Sequence, residues 1–222
     1  MTNLFFVRLI KTITMMVTLY SCSSLDSSSS SLSAFNLLLK NFNDTEILIK
    51  KETIESIPYA SSLISFAGNK QSLIILESSE VNKNTWVSSD RVRFIENNGR
   101  IIRSLGMPND LYYIERPDLD FDFLLKKERH SYIAYYSFRS PVLNNLRVEI
   151  DTKVIGLDEV DILGQKRQLM LIEETIYAAK INWSEKNKYW IDPVTKFVWK
   201  SKQYLSPKLP YIEIEVTKKP AM

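Results

Sequence analysis

From Thr45 onward the apolar residues recur mostly at every second position, the period of a strand with one buried face. Leu63, Ser65 and Ala67 alternate with Ile64 and Phe66, and Leu73-Ile74-Ile75-Leu76 is a compact run of the buried-strand kind. Val92 and Phe94, then Asn97-Asn98-Gly99, then Ile101 and Ile102 predict strand, tight turn and strand, because Asn-Gly supplies the positive φ angles of a two-residue hairpin. Strand character resumes at Tyr132–Tyr136 and at Leu146, Val148 and Ile150. Between Leu169 and Trp183, the residues Tyr177, Ala179, Ile181 and Trp183 fall on one face of an extended chain. Tyr189-Trp190-Ile191 and Phe197-Val198-Trp199 flank a turn through Asp192–Lys196, whose bend Pro193 pre-forms. Ile212, Ile214 and Val216, separated by Glu213 and Glu215, read as a last strand with one wet face. Pro108–Arg129 is less regular and predicts a short helix or a connecting excursion. Many closely spaced strands without regular helix alternation predict a mainly β fold, an antiparallel curved sheet or partly open β-barrel.

The first 44 residues follow other patterns. Phe35, Leu38, Leu39 and Phe42 stand at helical spacing, which predicts one N-terminal amphipathic helix of about ten residues. Before it, Ser23, Ser24, Ser27–Ser31 and Ser33 form a stretch with too little apolar surface to order itself, a flexible tether. At the front, Arg8 and Lys11 give a positive n-region, and Ile13, Met15, Met16, Val17 and Leu19 give a short apolar run. That run is well under the ~20 residues of a spanning helix, so it reads as a signal segment. It ends Leu19-Tyr20-Ser21-Cys22, which resembles a lipobox, where diacylglycerol joins the thiol and cleavage leaves the cysteine first. The predicted organisation is a lipoprotein signal peptide at 1–21, a lipidated Cys22 with its tether to 33, and one mainly β periplasm-facing domain over 34–222. Ser23 follows the cysteine, where aspartate retains many bacterial lipoproteins in the inner membrane. The expected address is therefore the outer membrane, with its lipid as the partner of acylated Cys22.

Composition narrows the chemistry. Without Arg8 and Lys11, 27 basic residues face 26 acidic ones, and no concentrated basic face points to nucleic acid. Cys22 is the only cysteine, so no disulfide forms within the chain. With five glycines in 222 residues no phosphate-cradling loop is present, and no cofactor is expected. His130 is the only histidine, which leaves no zinc ligand set and no diagnostic catalytic triad. Asp118, Asp120 and Asp122 imitate the start of a calcium loop, but Phe123 and Arg129 stand where glycine and a closing glutamate belong. Asp90, Asp110, Glu115, Glu173 and Glu174 are candidates by type for a glycosidase pair, none in a diagnostic context. The aromatic share of 11% is more suggestive: Trp86, Trp183, Trp190 and Trp199, with Tyr135, Tyr136, Tyr177 and Tyr189, are candidate sugar-stacking rings or ordinary core.

A family resemblance adds to this. Pro58-Tyr59-Ala60-Ser61, Trp86-Val87-Ser88-Ser89-Asp90, Gly99-Arg100-Ile101-Ile102 and Leu105-Gly106 stand in order, followed by Tyr189-Trp190-Ile191-Asp192-Pro193 and Val198-Trp199-Lys200-Ser201. Together they resemble the YjbF/GfcB outer-membrane lipoproteins of group 4 capsule and exopolysaccharide production, with Lys196 where a turn glycine is expected. The resemblance implies an accessory lipoprotein that binds glycan or export proteins, with no catalysis and no catalytic residues to transfer. Two other readings stay open: a periplasmic half-barrel for lipid or lipoproteins, and a polysaccharide-modifying hydrolase.

Overall fold

In the computed structural model, residues 51–221 are described. The signal segment, Cys22, the serine tether and the predicted Phe35–Phe42 helix lie outside them. Helix α1 (Lys51–Ser56) leads into β1 (Ser61–Phe66), β2 (Ser72–Glu80), β3 (Lys83–Ser88), β4 (Arg93–Asn97), β5 (Arg100–Leu105) and β6 (Leu111–Glu115). Helix α2 (Phe121–Lys127) precedes β7 (Arg129–Arg139), β8 (Val142–Ile162), β9 (Gln165–Ala178), β10 (Trp183–Ile191), β11 (Val198–Gln203) and β12 (Ile212–Lys218). These strands form one antiparallel sheet of order β5-β4-β3-β2-β1-β12-β11-β10-β9-β8-β7-β6. Pairing of β1 with β12 curls it into a barrel that stays open along one seam, between β5 and β6.

The seam is bridged by side chains. Ser104 Oγ accepts from Leu111 N at 3.0 Å and donates to Asp110 Oδ1 at 2.8 Å. Asp110 also accepts from Gly106 N and Met107 N, both at 3.0 Å. The free edge of β5 is served from across the barrel by the Gln203 amide, which accepts from Ile101 N and donates to Gly99 O, each at 2.9 Å. An edge strand with its peptide groups satisfied this way is a poor template for aggregation.

Alternation puts one set of residues inside. Ala134 and Tyr136 of β7, Leu146, Val148 and Ile150 of β8, and Ile176 and Ala178 of β9 join Trp86, Phe94 and Trp183 in the main core. Helix α2 sends Phe121 and Leu124 onto Ile172, Tyr189, Ile191 and Val198. Its N-cap is Asp120, which accepts from Phe123 N at 2.7 Å, so this member of the aspartate run has a helix-capping role. The β4–β5 turn is glycine-dependent. Gly99 has φ +83°, and a Cβ there would stand 2.5 Å from Val198.

One local expectation changes. The predicted face of Tyr177, Ala179, Ile181 and Trp183 is broken, because Ala179–Ile181 is a 3₁₀ turn closed by left-handed Asn182. Tyr177 therefore points outward, and Trp183 opens the next strand pointing inward. The Asp192–Lys196 turn forms as predicted, with Asp192 Oδ1 accepting from Val194 N and Thr195 N at 2.9 and 2.8 Å. Lys196 carries φ +61° where glycine was expected.

Candidate functional site

The tryptophans are mostly structural. Trp86 and Trp183 are 2% and 6% exposed in the main core. Trp199, at 8%, lies in a third cluster with Val160, Ile162, Leu169 and Val216. The tip of the β8–β9 hairpin supplies three of those residues, and a register shift at Gly156 resets its alternation. The Arg167 guanidinium stacks 3.6 Å from the Trp199 ring centroid. Trp190 is half-buried, and its indole nitrogen donates to Asp158 Oδ2 at 2.7 Å. None of the four forms an open platform. Large rings at inward or covered strand positions gain more from packing than from solvent contact.

Open rings do exist, and they are tyrosines. Tyr113 of β6, Tyr135 of β7 and Tyr177 of β9 are 55%, 39% and 42% exposed, with Ile133 beside them at 41%. Register places them together on the outer face. Tyr135 lies opposite Arg147, Ile133 opposite Glu149, and Glu149 opposite Tyr177. Tyr113 is diagonal to Tyr135, since Glu115 is the residue opposite it. From β7 to β9 the patch spans roughly 10 Å, two strand spacings. Arg147 and Glu149 are ion-paired between the rings. Elsewhere the outer face carries ion pairs, Lys186–Glu173, Lys200–Glu215 and Arg129–Asp151, together with exposed Ile155 and Leu157 farther along β8.

Inside the barrel a polar cluster faces the apolar core. Arg100 donates to Glu174 Oε1 at 2.5 Å, which also accepts from Tyr132 at 3.3 Å and Thr152 at 3.4 Å. The guanidinium lies 3.9 Å from the Phe121 ring centroid. Burial opposes the Arg100 charge, but the Glu174 carboxylate together with the Tyr132 and Tyr189 phenols outweighs it and holds the proton more firmly than in water. Burial, then the Glu174 charge, pushes the Tyr132 and Tyr189 phenols up. With both charges this enclosed and mutually neutralised, the pair ties β5 to the opposite wall.

A cavity of about 560 Å³ opens at the end of the barrel where β12 finishes, lined by Glu80, Glu96, Asp122, Phe121, Phe197 and Lys219 among others. Burial pushes the Glu96 carboxyl above its ordinary range, opposed by hydrogen bonds from Asn84 (2.8 Å) and Trp86. The acids that were candidates by type for a hydrolytic pair lie elsewhere and apart in role. Asp110 holds the seam, Glu174 is locked to Arg100, Glu173 pairs with Lys186 on the outer face, and Asp90 and Glu115 are exposed. His130 packs edge-on to Phe123 with ring centroids 5.2 Å apart.

Against known proteins, the family described as group 4 capsule polysaccharide lipoprotein GfcB, YjbF matches residues 32–217. The chain belongs to the YjbF family. Two relatives from Escherichia coli (strain K12) carry the names uncharacterized lipoprotein GfcB and uncharacterized lipoprotein YjbF. GfcB is 21% identical over 191 residues, 79% of this chain and 83% of the relative. YjbF is 24% identical over 169 residues, 74% and 77% respectively. The crystal structure of the hypothetical lipoprotein YmcC from E. coli K12 superposes with a TM-score of 0.65 at 17% identity, covering 84% of this chain and 96% of that one. That likeness shows the YjbF-family chain to share YmcC's fold. YjbF membership makes this a capsule-related lipoprotein. Tyr135 and Tyr177 are among the candidate rings read from the sequence, but Tyr113 is not. Ile133 and Tyr135 are as apolar as the inward Ala134 and Tyr136, so the outward face could not be told from the inward one. The polar neighbours at the parity of Tyr177, Glu173 and Thr175, were the available signal.

Proposed function

We propose that this YjbF-family protein is anchored in the outer membrane through acylated Cys22, faces the periplasm, and assists capsular or exopolysaccharide production by binding the glycan without transforming it. The observation that carries the reading is the cluster of three exposed rings, Tyr113, Tyr135 and Tyr177, around the Arg147–Glu149 ion pair on the outer face. An exposed apolar patch ringed by charge is characteristic of a binding surface. Sugar C–H faces pack on aromatic rings, while hydroxyl groups bond to polar neighbours such as Arg147 and Glu149. The interior supports glycan over an acyl chain, since Trp86, Phe94, Tyr136, Phe138 and Trp183 fill the main core. The test is retention on immobilised polysaccharide from the producing cell. Wild type is retained. A Tyr135→Ala/Tyr177→Ala variant loses about tenfold in affinity if each ring contributes roughly 0.5–1.5 kcal/mol. Equal retention of the variant would overturn the reading.

A further inference from the structure

The open seam carries a second feature that the tyrosine patch does not use. Tyr112, passed over by the register shift between Leu111 and Tyr113, is thrown outward at the β6 edge. Two guanidinium groups converge on its ring, Arg139 from the end of β7 at 4.7 Å and Arg103 from β5 at 5.2 Å from the centroid. Among the described residues neither has a carboxylate partner within salt-bridge reach. Arg93, Arg129 and Arg147 are neutralised by Glu77, Asp151 and Glu149, whereas Arg91, Arg116 and Arg167 also lack a carboxylate partner among the described residues. What sets Arg103 and Arg139 apart is that both lie on one exposed ring. Arg103 Nε is also buried and unbonded. Two like charges held around one ring repel each other, and the tyrosine quadrupole offsets only part of that. A bound anion offsets that repulsion, and the planar fork of arginine fits a carboxylate with two parallel hydrogen bonds.

We propose that Arg103, Tyr112 and Arg139 form a subsite for the carboxylate of an acidic sugar, so that the glycan bound by the protein is a uronate-containing polysaccharide. This rests on the glycan-binding reading above. Tyr113, next in the chain, links the subsite to the patch at Tyr135, so one polymer runs from charge recognition to ring stacking. In this arrangement the arginines select for charge, and the outer tyrosines supply sugar-face contact.

The experiment is calorimetric titration of the full chain with two uronate polymers, polygalacturonate and alginate, and with polygalacturonate whose carboxyl groups have been reduced to alcohols. Polyphosphate serves as a polyanion without sugar. Binding of at least one uronate polymer is expected. Reducing the carboxyl groups is expected to weaken it about tenfold or more, the worth of one charge-assisted hydrogen bond. Arg103→Gln and Arg139→Gln should each produce a similar loss. Arg139 is exposed, so its variant keeps the fold, checked by an unchanged thermal midpoint. Tyr135→Ala/Tyr177→Ala should weaken reduced and native polymer alike. Equal binding of reduced and native polymer, or unchanged binding by both arginine variants, overturns the acidic-sugar subsite while leaving the tyrosine reading standing. Polyphosphate binding as tight as uronate overturns it in favour of a general polyanion site. Failure of both uronate polymers to bind, with the cell's own polysaccharide still retained through Tyr135 and Tyr177, also overturns the subsite alone.

Discussion

Inside the barrel, Trp86 and Trp183 are packed among Phe94, Tyr136 and Phe138 with almost no surface left. On the outer face of β6–β9, Tyr113, Tyr135 and Tyr177 keep 39–55% of theirs. Both regions are aromatic, and both sit on strands where such residues are common. The interior rings fill space that nothing else in the fold fills. The outer rings leave about half of their surface in solvent, so the fold gains less from tyrosine there than from the interior rings. Ion pairs are the ordinary outer-face solution in this molecule, as Lys186–Glu173 and Lys200–Glu215 show. A cluster of three exposed aromatic rings around one ion pair is what marks this patch as a surface for something other than folding.

The contrast is broken most forcefully from within. Trp86→Ala, at a side chain only 2% exposed, is expected to cost about 4–5 kcal/mol of unfolding free energy, read from the denaturant midpoint. The loss should come with no direct change in the outer patch. Next is the buried pair. Glu174→Ala leaves the Arg100 charge without its partner inside the barrel, an expected loss of about 3–4 kcal/mol. Replacing both members with apolar side chains of similar volume, Arg100→Met with Glu174→Leu, should recover most of it by the same equilibrium unfolding measurement. At the small end, Tyr135→Ala and Tyr177→Ala are expected to change stability by less than about 0.5 kcal/mol, while together lowering glycan affinity about tenfold. A stability loss comparable to that at Trp86 would erase the distinction between the two regions.

Much of the architecture could be read in the chain, because period-two alternation survives wherever one face is wet. Ile212, Ile214 and Val216 against Glu213 and Glu215 are the clearest case, and β12 covers them. The Asn98-Gly99 turn was legible for a local reason, the need for positive φ at both residues. Closure was not legible. Pairing of β1 with β12, the reach of Gln203 to the β5 edge and the Arg100–Glu174 contact join residues far apart in the chain, and nothing near either partner announces the other. The candidate sugar-stacking rings were chosen by side-chain type, and the structure puts Trp86, Trp183, Trp199, Tyr136 and Tyr189 in packed clusters while leaving Tyr135 and Tyr177 open. Which rings face outward depends on parity, and parity is reset by the irregularities at Tyr136/Phe138, Val154/Gly156 and Trp190/Ile191. A single turn residue, left-handed Asn182, moved Trp183 from the face of Tyr177 to the interior.

The most direct measurement is an NMR titration of ¹³C-labelled tyrosine and tryptophan rings with the producing cell's polysaccharide. Shifts at Tyr113, Tyr135 and Tyr177, with the Trp86 and Trp183 indoles unmoved, are the expected result. Binding that leaves those three tyrosines unchanged would contradict a glycan-binding outer face.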